Sequence, residues 1–67
     1  MTFTEFVDLV DKTHHSFSWR YGQSIMNVLY YAWKEKHDEL LASENDCYYD
    51  DSKAKNTLTK LEKEWLT

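Results

Sequence analysis

The sequence predicts an all-α fold: a compact domain of three or four helices with an ordered acidic and aromatic loop before the last helix. Apolar residues recur at steps of three and four along three segments, which is the spacing of one face of an α-helix. The chain contains no proline and one glycine, a composition that disfavours a turn-rich β fold. Its length of 67 residues predicts a single domain over residues 1–67.

The first predicted helix covers residues 2 to about 13. Its apolar stripe consists of Phe3, Phe6, Val7 and Val10. Thr2 or Thr4 is the expected cap, because a threonine hydroxyl can accept a backbone N–H that has no partner inside the helix. The stretch Thr13–Ser16 interrupts the apolar pattern, so we expect a short connector there.

The segment Trp19–Trp33 is the predicted second helix, and the rest of the chain is expected to pack around it. Its apolar stripe consists of Tyr21, Ile25, Val28, Leu29 and Ala32. Ser16 or Ser18 is the expected cap at its start. Gly22 lies inside this helix, where glycine costs about 0.5–1 kcal/mol relative to alanine. Close approach of another helix is the expected reason for it, and a helix start delayed to Gln23 is the alternative.

The second helix is predicted to break or kink near residues 35–38. The run Lys34–Glu39 contains no apolar residue and therefore interrupts the stripe. Asp38 could then cap a separate short helix over residues 39–44. One continuous helix to Ala42 is the alternative.

The predicted loop before the last helix begins with a turn at Ser43–Asp46, a cluster of turn-forming residues. Cys47–Tyr49 is expected to run extended across the helices and to place at least one tyrosine ring against them. Asp50, Asp51 or Ser52 is the expected cap of the last helix. The apolar stripe of that helix consists of Ala54, Leu58, Leu61 and Trp65, with Leu66 at its end.

The net charge of −4, from 12 acidic and 8 basic residues, argues against non-specific binding to nucleic acid, which requires a basic face. It argues equally against docking on anionic membranes. No apolar run approaches the roughly 18 residues of a membrane-spanning helix, and the N-terminus lacks the basic start of a signal peptide. A single cysteine fits a reducing compartment, so we expect a cytoplasmic protein.

No residue pattern predicts a catalytic site, a metal site or a bound cofactor, so we expect the protein not to be an enzyme. The histidines at positions 14, 15 and 37 and the single cysteine lack the paired spacing of zinc ligands. The acids around Tyr48 lack the alternating ligands, the glycine and the terminal glutamate of a calcium loop. The chain also has no glycine-rich phosphate loop and no Ser/His/Asp motif.

Arg20 is the only arginine and lies between two aromatic residues. A guanidinium can hold a carboxylate with two hydrogen bonds. The favoured prediction is a pair with an acid of the segment Asp46–Asp51, which would fix this loop to the central helix; a contact with an acidic group of a partner is the alternative. Gln23 and Asn27 lie four residues apart on one helical face and can hydrogen-bond the same loop or a partner. The candidate residues for partner binding or loop anchoring are Arg20, Tyr21, Gln23, Asn27, Asp46, Tyr48, Tyr49, Asp50 and Asp51.

Several of these residues belong to a longer pattern. It consists of RYGQ at Arg20–Gln23, Met26-Asn27, Leu29, Asp46 and the YDD run at Tyr49–Asp51. Across about residues 17–52, this pattern resembles a family of short, largely uncharacterised proteins from bacteria and their phages. The chain departs from the family where Cys47 stands in place of an expected proline. The resemblance implies a small intracellular protein, encoded by a phage or prophage, whose RYGQ and YDD segments form one structural unit. It implies no activity.

The predicted function is the binding of another protein, without catalysis. Aromatic residues make up 16% of the chain, more than a small helical core requires, and tyrosine and tryptophan carry much of the binding energy at interfaces. For a phage protein the partner would be a host protein, and the acids at positions 44, 46, 50 and 51 could occupy a basic groove that normally binds DNA. A self-associating homodimer module is the first alternative. A helical nucleic-acid-binding module is the second, although Arg20, Lys34 and Lys36 do not form the basic face that it needs.

Overall fold

The computed structural model describes residues 1–65. Within them, four α-helices follow one another: α1 (Phe3–Phe17), α2 (Tyr21–Ala32), α3 (Lys34–Leu40) and α4 (Ala54–Glu64). A 3₁₀ turn, Asp51–Lys53, leads directly into α4. The described residues contain no β-strand, and the predicted all-α class with a loop before the last helix is confirmed.

Helix α1 begins with a capping box. The Thr2 hydroxyl accepts the Glu5 N–H over 3.1 Å, and Glu5 Oε1 accepts the Thr2 N–H over 2.8 Å. Two backbone donors at the helix start are satisfied in this way, and Thr2 is one of the two caps that the sequence predicted. Phe6 and Val10 are fully buried on the inner face of the helix.

The prediction of a connector at Thr13–Ser16 is wrong, because these residues form the last turn of α1. Ser18, with φ 57°, ends the helix in the left-handed region. The His14 Nδ1 atom lies 2.7 Å from the Trp19 carbonyl oxygen, and the His14 ring packs edge-on against Tyr21. This half-buried histidine joins the end of α1 to the start of α2, a tertiary role that a polar stretch does not reveal in sequence.

Neither serine expected to cap α2 does so, since Ser16 lies inside α1 and Ser18 ends it. Arg20 occupies the cap position and makes no side-chain hydrogen bond to the helix start. Asp51 supplies that bond instead, because its Oδ1 accepts the Gly22 N–H over 2.9 Å. A carboxylate distant in sequence therefore satisfies a free donor in the first turn of α2.

The helix is interrupted at Trp33, which precedes the range 35–38 where the sequence predicted a break. Trp33 has φ −155° and ψ 76° and separates α2 from α3, so a continuous helix to Ala42 and a separate helix over residues 39–44 are both wrong. The Trp33 ring packs edge-on against Trp65, with ring centroids 5.3 Å apart. Neither a proline nor a glycine lies at this break. It is accompanied instead by the packing of the Trp33 indole against the Trp65 indole.

The buried ammonium group of Lys36 links α3 to α4. Lys36 is 8% exposed, and its Nζ lies 2.6 Å from Glu64 Oε1 and 2.9 Å from Glu39 Oε2. The same ammonium lies 5.0 Å from the centre of the Trp33 ring. Lys60 holds the other Glu64 oxygen at 2.6 Å, and hydrogen bonds from Lys36 and Lys60 lower the pKa of Glu64 to about 2.

The hydrophobic core lies where α2 meets the other helices. Its buried apolar residues come from every helix and from the loop: Phe6, Val10, Ile25, Met26, Val28, Leu29, Leu40, Cys47, Ala54 and Leu61. Leu58 and Trp65 pack against this core, so the predicted stripe of the last helix faces inward; Leu66 lies outside the described residues. The Cα radius of gyration is 10.6 Å, near the value of about 11 Å for a folded chain of this length. Within residues 1–65, no helix is both long and apolar enough to cross a bilayer.

Candidate functional site

The loop over residues 41–50 joins α3 to the 3₁₀ turn. Its first turn lies where the sequence predicted one: the Asp46 N–H donates to the Ser43 carbonyl over 3.1 Å. Asp46 then organises the loop, since its Oδ2 accepts the Ala42 N–H over 2.8 Å and its Oδ1 accepts the Tyr48 N–H over 3.0 Å. Both carboxylate oxygens are therefore used within the loop.

Cys47–Tyr49 does not run extended across the helices, and that prediction is wrong. The Asp50 N–H donates to the Cys47 carbonyl over 3.2 Å and closes a turn at Tyr48 and Tyr49. Cys47 is fully buried, Tyr48 is half-buried and Tyr49 is 83% exposed. One tyrosine ring therefore packs against the helices, while its neighbour projects into solvent.

Arg20 holds this loop through a carbonyl group rather than through a carboxylate. Its Nη2 donates to the Tyr48 carbonyl oxygen over 2.9 Å. Close by, the Gln23 amide donates to the Tyr48 hydroxyl over 3.1 Å. The RYGQ segment thus contacts the backbone and the side chain of the same tyrosine. Tyr21 is directed elsewhere, since its hydroxyl donates to Asp11 on α1 over 3.1 Å.

Gly22 allows the loop backbone to approach α2. A Cβ atom at this position would lie 2.0 Å from the Cys47 carbonyl oxygen and 3.0 Å from Asp51 Oδ1. The approaching element is therefore the loop, not another helix as expected from the sequence. Helix α2 already includes Tyr21, so the alternative of a start delayed to Gln23 is wrong as well.

The remaining loop acids also serve the fold. Asp50 Oδ1 accepts the Ser52 N–H over 3.0 Å and caps the 3₁₀ turn. Hydrogen bonds from the Ser52 hydroxyl and N–H lower the pKa of Asp50. Asp51 is bonded to Gly22. Asp46, Asp50 and Asp51 therefore all accept hydrogen bonds within the chain, while Asp50 and Asp51 remain exposed to solvent.

The single cysteine of the loop lies inside the fold. The Cys47 thiol is fully buried and donates to the Gly22 carbonyl over 3.5 Å. Burial raises the pKa of Cys47, which favours the unreactive thiol over the nucleophilic thiolate. Among the described residues, no group of three histidine, cysteine or acidic side chains is placed to hold a metal ion.

Asn27 lies on a different surface, in an open groove between α1 and α2. We call it the aromatic groove; it has a volume of about 500 Å³, and its lining consists of Leu9, Thr13, Phe17, Trp19, Asn27, Val28 and Tyr31. The Phe17 and Trp19 rings stack with centroids 4.9 Å apart. Phe17 is 59% exposed and Tyr31 is 84% exposed. The groove therefore presents large aromatic rings to solvent.

No residue that lines the aromatic groove is charged. The Thr13 hydroxyl is satisfied by the Val10 carbonyl at 3.0 Å. Within the part of the chain that the structure describes, the Asn27 amide and the Trp19 indole N–H make no hydrogen bond to another protein group. The lining of the aromatic groove is therefore predominantly apolar.

A second depression lies on another side of α1. It is lined by Met1, Glu5, Asp8 and Lys12, and it shares Leu9 with the groove. Two carboxylates and one ammonium therefore line this second depression. The pKa of Glu5 is lowered by its hydrogen bonds with Thr2, so this carboxylate is charged at neutral pH.

Sequence reasoning missed Phe17, Trp19 and Tyr31 as a site. A signal for it exists in α1, where Leu9, Thr13 and Phe17 follow one another at steps of four and so share a face. The predicted connector at Thr13–Ser16 hid this row, because it ended the helix before Phe17.

The chain matches no protein-family model, no curated protein and no solved structure.

Proposed function

We propose that this protein acts without catalysis, by binding another protein through the aromatic groove. The observation that supports the proposal is the exposure of Phe17 and Tyr31, at 59% and 84%, on the rim of an apolar groove of about 500 Å³. Contiguous exposed apolar surface is a common feature of protein-binding sites. Aromatic side chains in such positions are the usual anchors of protein interfaces.

The core does not require these rings. An aromatic cluster consists of Phe3, Phe6, Trp33 and Trp65. In it the ring centroids of Phe6 and Trp65 lie 4.8 Å apart. Phe17 and Tyr31 lie outside the buried core. Their exposure leaves apolar area that a partner could remove from water, at a gain of about 25 cal/mol per Å² before the costs of association.

Photo-crosslinking with matched positions tests the proposal. Tyr31 and Tyr49 are exposed to the same extent, 84% and 83%, but only Tyr31 lines the groove. A photoreactive phenylalanine analogue at position 31 is expected to crosslink a protein partner in the cells that express the chain, while the same analogue at position 49 is not. The partner is then purified, and Tyr31→Glu is expected to weaken its binding by about tenfold or more, with Tyr49→Glu binding like the wild type.

Equal binding by the Tyr31→Glu and Tyr49→Glu variants would contradict the proposal. Self-association is measured in parallel, by light scattering over a concentration series. A dimer that Tyr31→Glu dissociates would show that a second copy occupies the groove, and the homodimer alternative would then replace binding of a different protein.

The proposed place of action is the cytoplasm, and the proposed origin is a phage or prophage gene that modulates a host protein. The single cysteine, Cys47, is buried and unpaired, as is usual in a reducing compartment. The origin rests on the resemblance of the RYGQ and YDD segments to bacterial and phage proteins. Phage genes on both sides of the coding sequence would support it, and a position inside an operon of host metabolism would contradict it.

A further inference from the structure

We infer that this chain forms a domain-swapped homodimer by opening at Trp33. In this dimer α2 and α3 are one continuous helix, and each copy packs its residues 34–65, the second half, on residues 1–32, the first half, of the other copy. The inference does not rest on the proposed function. All residues that line the aromatic groove belong to the first half, so each copy keeps its groove in the dimer.

The connection between α2 and α3 is a single residue, Trp33. Residues 32 and 34–36 are alanine, lysine and glutamate, which are among the strongest helix formers. No side chain caps the start of α3 among the described residues, so its first N–H groups lack the carbonyl partners that a continuous helix would provide. The local sequence therefore favours a helix that continues through Trp33.

The inward-facing residues of α2 and α3 fall on one stripe. Ile25, Leu29, Trp33, Lys36 and Leu40 follow one another at steps of four, four, three and four, which is the spacing of one face of a continuous helix. Four of them are buried in the structure, and Trp33 is half-buried. Opening at Trp33 therefore keeps the buried residues of both helices on the same side of one helix, about 30 Å long.

Tertiary contacts hold the bend at Trp33. Its ring packs against Trp65 with centroids 5.3 Å apart, and the Lys36 ammonium lies 5.0 Å from the centre of the Trp33 ring. These contacts at the hinge are the ones that opening changes. The ion pair of Lys36 with Glu64 lies within the second half and moves with it.

The contacts between the two halves are regained in the dimer. Arg20 bonds the Tyr48 carbonyl, and the Gly22 N–H bonds Asp51, so the RYGQ segment of one copy meets the loop of the other. The core also draws on both halves, and an opened chain by itself would expose it to water. A second copy supplies the same atoms in the same positions, which makes such an exchange a low-cost route to a dimer.

Substitutions at Lys34 test the inference. The side chain is exposed and pairs only with Asp38, one turn further along α3. Proline suits the first position of α3 in the monomer but disrupts a continuous helix. The protein is refolded from urea at high concentration, and dimer is measured by size exclusion with light scattering. Lys34→Pro is expected to lower the dimerisation constant at least about a hundredfold.

Lys34→Ala is the matched control. It removes the same side chain and the same ion pair but allows a continuous helix, so it is expected to dimerise like the wild type. Lys34→Gly is expected to lie between the two. Absence of a wild-type dimer, or equal dimerisation of the three variants, would overturn the inference. If circular dichroism shows that Lys34→Pro does not fold, the comparison of glycine with alanine decides, and equal constants for these two contradict the swap.

Two further measurements separate a swapped dimer from one that forms through the aromatic groove. The swapped dimer is expected to persist after dilution, because return to the monomer requires the contacts between the halves to break. Tyr31→Glu, a change on the groove, is expected to leave it intact. A dimer that dissociates at once on dilution, or that Tyr31→Glu abolishes, would overturn the swap. The crosslinking experiment on the groove gives its answer in either case.

Discussion

Gly22 shows how one residue fixes the position of the loop against α2. The Cys47 carbonyl oxygen occupies the space that a Cβ atom would need, 2.0 Å from it. Backbone atoms fill this space, so a rotamer change cannot relieve the contact. The Gly22 N–H also donates to Asp51, and its carbonyl accepts the Cys47 thiol. The residue is therefore bonded to both ends of the segment that it faces.

We predict that Gly22→Ala destabilises the protein. Alanine raises helix propensity by about 0.5–1 kcal/mol, but the loop must move away from the new methyl group, and overpacking of this kind costs about 1–3 kcal/mol. The net loss expected in urea denaturation is about 1–2 kcal/mol. Asn56→Ala, on the exposed face of α4, is the control and is expected to cause no loss. A Gly22→Ala variant as stable as the wild type would mean that the loop does not pack on α2.

The contacts between the RYGQ segment and the loop show which features of a contact a sequence can predict. The association of the RYGQ and YDD segments was predicted, but the bonding pattern was not. Arg20 was expected to meet a carboxylate, yet it meets the Tyr48 carbonyl, while the carboxylates of Asp46 and Asp51 accept backbone N–H groups. Which acceptor remains available depends on the turn geometry of the loop, and residue types do not encode that geometry.

At the scale of secondary-structure elements, periodicity predicted the helices better than their ends. The stripes of α1, α2 and α4 are readable because each buries one face in the core. The end of α1 depends on the contact of His14 with Trp19, and the break at Trp33 accompanies its packing on Trp65. The contact of Trp33 with Trp65 joins residues that are distant in sequence, and the contact of His14 with Trp19 accompanies the left-handed turn at Ser18. Local signals such as the run Lys34–Glu39 therefore placed the boundaries incorrectly.

The contact between α3 and α4 has a predictable dependence on pH. Lys36 and Lys60 lower the pKa of Glu64 from 4.5 to about 2. A carboxylate whose pKa is lower in the folded state contributes stability above its unfolded pKa and loses it as the pH falls through the folded value. The contribution of Glu64 is therefore complete above about pH 4.5 and disappears toward about pH 2.

We predict that Glu64→Gln is less stable than the wild type at neutral pH and that the two converge between about pH 4.5 and pH 2. Urea denaturation at a series of pH values measures this difference. Glu62→Gln, an exposed change on the same helix, is expected to follow the wild type throughout. A stability difference between Glu64→Gln and the wild type that stays constant down to pH 2 would show that the Glu64 charge is not involved.

At the scale of the whole molecule, the aromatic residues serve two purposes. One group, which includes Phe6, Trp33 and Trp65, packs between α1 and the residues that directly follow α2 and α4. The other group lines the aromatic groove and includes Phe17 and Tyr31. The sequence predicted an aromatic excess but not its location, because the groove requires rows on α1 and α2 to face the same side. The relative rotation of two helices is a property of their packing, not of either stripe alone.

The charge distribution of the whole molecule predicts that it does not bind nucleic acid. The chain has 8 basic residues against 12 acids, and Lys34, Lys36 and Lys60 are already paired with acids. Arg20 is bonded to the loop carbonyl. A binder without sequence preference must bring several unpaired cations to one face to release counterions from phosphates. Among the described residues, four lysines lie outside these pairs, against a net charge of −4 for the whole chain.

We therefore predict no binding of a fluorescently labelled DNA duplex at about 50 mM salt, where phosphate contacts are strong. Anisotropy is recorded over a titration of the protein, with a basic DNA-binding protein as the positive control for the duplex. The Glu62→Lys variant, which has a less negative net charge, is expected to behave like the wild type because one added cation does not create a basic face. Binding that weakens steeply as salt is added would contradict the prediction, and the nucleic-acid alternative would then take precedence over a protein partner.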